Sequence, residues 1–136
     1  EKHPEVFDPA VNPYAVRVVI TGSRPDPSAF GEFPHFISFD GFIDVEYTPE
    51  QLERVALISE PFCRYAKWKG GPEPLPAQEK QVIEQLIAKS HKAGKPIRFW
   101  CSPDNAVAWE TFRKLGIDII NTDQPEACTL YFQQNP

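Results

Sequence analysis

The stretch "KPIRFWCSPDNAVAWETFRKLGIDIINTD", residues 95–123, decides the fold class. It reads as strand, helix, strand with short connections. Residues 96–102 alternate, with Ile97, Phe99 and Cys101 forming an apolar face suited to packing under helices. The other face carries Arg98, Trp100 and Ser102. Residues 102–116 then read as a helix capped by Asp104 or Ser102 and stopped at Gly116. Val107, Trp109, Phe112 and Leu115 are its expected inward side. The closing strand is "IDIINTD", residues 117–123.

Working upstream, residues 77–93 predict an amphipathic helix. Val82, Ile83, Leu86 and Ile87 make its apolar stripe, and Gly94 is its C′ glycine. Helix, strand, helix, strand is the pattern of a parallel sheet with crossover helices. The first half adds two strands, at residues 16–22 ("VRVVITG") and 35–42 ("HFISFDGF"). A short helix over 48–56 has Thr48 as N-cap and Pro49 at its first position. Residues 56–59 extend as a short strand. Residues 1–15 read as an irregular lead-in, and 23–34 and 60–76 as loops. The fold class is α/β.

An open doubly wound sheet and a (β/α)8 barrel both fit the alternation. No strand ends in a glycine-rich phosphate turn of the Rossmann or P-loop type. Polar and aromatic residues instead gather at strand C-terminal ends: Arg24, Asp40, Lys67–Trp68–Lys69, Trp100–Asp104 and Asn121–Asp123. That distribution favours a barrel, whose active site is built from those ends. Five strands cannot close a barrel of eight, so the expectation is the C-terminal part of a (β/α)8 TIM barrel, as one domain or partial domain.

Composition narrows the functions. The 136 residues carry a net charge of −5 and no basic run, which argues against a nucleic-acid partner. No apolar stretch approaches ~18 residues, so none spans a membrane as a helix. The chain has no methionine, so an N-terminus is expected to be missing. Cys63, Cys101 and Cys128 are widely spaced with no CxxC, and are expected as ordinary thiols. His3, His35 and His91 form no HxxxH or HxE arrangement, so no metal site or general base is legible.

Several residues carry two readings. Arg98 is a strand cation needing a carboxylate or a bound anion. Trp100 is either core or a pocket wall. Asp104 is either a helix cap or a carboxylate at a pocket mouth. Asp123 likewise caps a short helix over 125–130 or faces a site. "RYAKWKGG", residues 64–71, is either a solvated loop or a phosphate-binding one, with Lys67 as cation and Trp68 excluding water.

"PIRFWCSPDN" followed by "LGIDIINTDQP" resembles the C-terminal end of the PLC-like phosphodiesterases. These include the glycerophosphodiester phosphodiesterases and phosphatidylinositol-specific phospholipases C. "VVITGSRP", "ISFDGF" and "LISEPFCRYAKWKG" resemble further strands and loops of a bacterial branch. The resemblance implies a (β/α)8 barrel that hydrolyses a phosphodiester or lipid head group. It implies two histidines as acid and base and a divalent metal, Ca or Mg, all from an N-terminal half absent here. It implies a secreted or periplasmic parent. Trp100 would line the pocket. Asp104 would follow it, at a spacing one residue longer than the family's, and Asp123 would follow the last strand. Lys67 and Arg98 are candidates for phosphate contact on charge grounds. This chain alone would then be inactive and would pair with its missing half or with itself. The alternative is a non-catalytic half-barrel interaction module.

Overall fold

The computed structural model describes residues 3–8 and 10–136. Glu1, Lys2 and Pro9 of the expected lead-in lie outside the described residues. The chain divides into two compact units, one up to Leu57 and one from Ile58 to Pro136. Both are α/β with parallel strands, an arrangement compatible with part of a barrel.

In the first unit a short helix α1 (Pro4–Phe7) interrupts the lead-in, so that segment is not wholly irregular. Strands β1 (Val18–Ile20) and β2 (Ile37–Gly41) pair in parallel, with Val18 opposite Ile37 and Ile20 opposite Phe39. The connection between them is not a plain loop. It holds a 3-10 helix, Pro27–Glu32, opened by Asp26, whose carboxylate accepts the Ser28 N–H. That turn delivers Phe30 to stack on Phe39 with centroids 4.0 Å apart, and Phe33 meets Phe39 edge-on at 5.4 Å. Helix α2 (Pro49–Arg54) starts in a capping box. Thr48 Oγ1 accepts the Gln51 N–H, while Gln51 Oε1 accepts the Thr48 N–H. From its last turn Arg54 donates to the carbonyls of Pro34 and Ile37, both at 2.8 Å, fixing the chain that enters β2. Arg24 and Asp40, expected at strand ends, form an ion pair at 3.3 Å, with Asp40 buried and Arg24 half-buried.

The chain passes between the units within β3 (Val55–Pro61). In the second unit β3, β4 (Ile97–Trp100) and β5 (Ile119–Ile120) pair in parallel. Helix α4 (Ala77–Lys92) links β3 to β4, and α5 (Ala106–Leu115) links β4 to β5. A four-residue helix α3 (Phe62–Tyr65) opens the region expected as a loop, and α6 (Pro125–Gln134) closes the chain, longer than the sequence suggests. Ile97 and Phe99 are buried, as the alternation predicts, together with Ile83 and Ile87 of α4 and Trp109 and Phe112 of α5. Phe62 joins this core edge-on to Phe99 and Phe112, at 6.1 and 5.3 Å.

The apolar stripes are narrower than expected. Val82 and Val107 are exposed, while Ser90 and Ala108 are fully buried. Gly94 and Gly116 both have positive φ, 68° and 82°, as helix-terminating glycines should. The cap of α5 is neither Asp104 nor Ser102. Asn105 holds that place, its Oδ1 accepting the Ala108 N–H at 3.0 Å. No helix of the described residues is long and apolar enough to cross a membrane.

Candidate functional site

Parallel register sets which side chains share a face. Ser59 lies opposite Arg98, and Pro61 opposite Trp100. Arg98 in turn lies opposite Ile119. In-register neighbours in a sheet point the same way, so Ser59, Arg98, Trp100 and Ile119 belong to the face away from the Ile97–Phe99 core.

Arg98 was expected to need a carboxylate or an anion. Its only protein partner among the described residues is a neutral one. Nε and Nη2 both donate to Ser59 Oγ, at 3.2 and 2.8 Å. Ser59 is itself fully buried, so the hydroxyl is a fixed post. The guanidinium is half-buried and keeps donors beyond those that Ser59 takes. Trp100, two residues on, is 44% exposed and presents a broad apolar surface beside it.

Asp104 is half-buried and already engaged. Its Oδ1 accepts the Trp109 indole N–H and its Oδ2 the Asp123 backbone N–H, both at 2.8 Å. Its backbone carbonyl accepts from Gln124 Nε2 at 3.1 Å. Burial pushes the Asp104 carboxyl up, but the Thr122 hydroxyl, the Asp123 amide and the Trp109 indole outweigh it, holding it below the usual carboxylate range. The carboxylate thus ties the start of α5 to the segment leading into α6. Asp123 meets it through its backbone, and its own side chain points to solvent.

Lys67 is exposed and no contact joins it to Arg98 among the described residues. Its backbone N–H and that of Trp68 both donate to Glu79 Oε2, at 3.1 Å, so the first turn of α4 anchors the loop. Trp68 is a packed aromatic that also lines a cavity with Lys69, Ser102 and Pro103. It is buried edge-on to Phe112 at 6.3 Å, and its indole N–H donates to the Glu73 carbonyl. The structure therefore brings Arg98 and Trp100 together on one strand face and Asp104 and Asp123 together at the α5–α6 junction.

Two features escaped the sequence. Cys63 and Cys101 are joined in a disulfide, which corrects the expectation of ordinary thiols and removes Cys101 from the core. Both follow the ends of neighbouring strands, and pairing brings their Cα atoms to 5.7 Å. Only the register of β3 on β4 reveals that proximity. Cys128 is a buried free thiol, as expected. The second feature is Glu60, fully buried at the end of β3, whose Oε2 accepts the Tyr65 hydroxyl at 2.9 Å.

The histidines pair with carboxylates: His35 with Asp8 at 3.0 Å and His91 with Asp118 at 2.8 Å. Asp118 also accepts the Ile97 N–H at 2.8 Å, so this group fastens the start of β4. No group of three or more His, Cys, Asp or Glu among the described residues is arranged to hold a metal ion. The resemblance places the ligands of its divalent metal outside these 136 residues. No protein-family model matches the chain, and neither a curated protein nor a solved structure does.

Proposed function

We propose that this chain is the substrate-binding side of a phosphoric diester hydrolase, the C-terminal part of a (β/α)8 barrel of the PLC-like phosphodiesterase type. On this reading Arg98 contacts a phosphate oxygen and Trp100 lies against the head group. The supporting observation is the Arg98 guanidinium, held by the Ser59 hydroxyl and facing no carboxylate in ion-pair range among the described residues. A planar cation fixed on a rigid strand suits an anionic ester better than a mobile lysine does. Acid, base and metal ligands would come from outside these 136 residues. This chain's part is binding and orientation rather than turnover.

Calorimetric titration with a glycerophosphodiester tests this. The wild-type chain should bind weakly and saturably. Arg98→Ala should weaken binding about tenfold, the worth of one charged hydrogen bond. Trp100→Ala should weaken the diester but leave inorganic phosphate unchanged. Absence of wild-type binding, or equal binding by Arg98→Ala, overturns the reading. A non-catalytic interaction module is the second reading, favoured by the exposure of Trp100 and Ile119 on one face. It predicts self-association in sedimentation that Ile119→Ser abolishes.

A further inference from the structure

Chain segments 62–71 and 101–105, which follow β3 and β4, are fastened to each other at two points. One is covalent, the Cys63–Cys101 bridge. The other is a close backbone approach. Gly70 has φ +72°, and a Cβ there would stand 2.8 Å from Pro103 Cβ and from Asn105 Nδ2. Each segment also has its own anchor: Glu79 holds 67–68, and the Asn105 cap holds the start of α5. The fold at this end does not depend on the bridge alone.

The bridge is also placed for attack. Both cysteines are exposed residues, outside the Phe62–Phe99–Phe112 core. They line a cavity of about 310 Å³ together with Trp68, Lys69, Ser102 and Pro103. Lys69 brings a cation to the rim, which favours approach of a thiolate. Cys101 is held at φ 54°, and among the described residues it is the one non-glycine with positive φ.

We propose that Cys63–Cys101 is a thiol–disulfide exchange site that an external dithiol opens in the folded protein, and that its opening loosens segments 62–71 and 101–105 while the core stays intact. The incoming thiolate attacks one cysteine sulfur, forming a mixed disulfide and expelling the other cysteine as thiolate, which takes a proton. The second thiol of the reductant attacks the mixed disulfide, releasing the remaining cysteine and leaving the reductant as its own disulfide. Two electrons pass to the protein. The inference is independent of the phosphodiesterase reading.

The test treats the intact chain with dithiothreitol at neutral pH, then alkylates it and measures mass and hydrogen exchange. Two alkyl groups are expected, on Cys63 and Cys101, with Cys128 unmodified in its buried place. Exchange should rise about tenfold or more in 62–71 and 101–105 and stay unchanged in the cores of α4 and α5. Labelling of Cys128 in step with the other two overturns the proposal, because reduction then needs unfolding. Unchanged exchange after reduction also overturns it. The double variant Cys63→Ser/Cys101→Ser should fold and show the reduced exchange pattern. Its failure to fold would make the bridge structural and sink the proposal.

Discussion

Asp104 joins α5 to the chain entering α6 through one carboxylate. Asp104→Asn keeps an acceptor for the Trp109 indole but turns an NH₂ toward the Asp123 amide, donor against donor. A cost of about 1–3 kcal/mol is expected, read as a lower urea midpoint at constant slope. An unchanged midpoint would mean that water replaces the lost bond. Arg98 follows different physics. It ties to a neutral hydroxyl, so Arg98→Lys should change stability little while losing the planar fork. Comparing the urea midpoints of the two variants separates a residue that fastens the fold from one that does not.

Caps and close approaches set the individual elements. Helix α2 has six residues, too short to be stable from propensity alone. Its capping box and the reach of Arg54 to the carbonyls before β2 keep it in place. Thr48→Ala should cost about 1 kcal/mol by chemical denaturation, because it leaves the Gln51 N–H without its partner. In the second unit, Gly70→Ala should cost more than Gly94→Ala. Both glycines have positive φ, but only at Gly70 does a Cβ meet neighbouring atoms at 2.8 Å. The expected difference is about 1 kcal/mol or more in thermal unfolding. Equal costs would mean that segments 62–71 and 101–105 yield freely.

Over the whole molecule, acidity acts on the fastening carboxylates. Asp104 and Asp118 both have carboxyls that burial raises but that hydrogen-bond donors bring below the ordinary range, His91 and the Ile97 amide being those at Asp118. A carboxyl lowered by folding stabilises above its unfolded value, about pH 4, and that contribution is lost as pH falls through its folded value. Stability should therefore be level from neutral to about pH 5 and drop below about pH 4, in urea midpoints taken across pH. Asp104→Asn should flatten that acid limb.

By itself the sequence determined the fold class, most of the elements and the two faces of β4. Hydrophobic period, Thr48–Pro49, Gly94 and Gly116 are local signals, and local geometry obeyed them. It also showed that Arg98 and Trp100 share a face, since alternation along one strand requires no knowledge of neighbours. What lay opposite them was hidden. The Ser59 partner, the Cys63–Cys101 bridge and the contact of Gly70 with Asn105 each join residues about 35–40 positions apart, through register alone. Tertiary packing also decided that Asp104 is not the α5 cap. Asn105 serves the helix, while Asp104 is drawn to the nearby Trp109 indole and to the Asp123 amide, which the packed chain brings near. Local order was legible because it depends on neighbours in sequence, whereas the candidate site depended on neighbours in space.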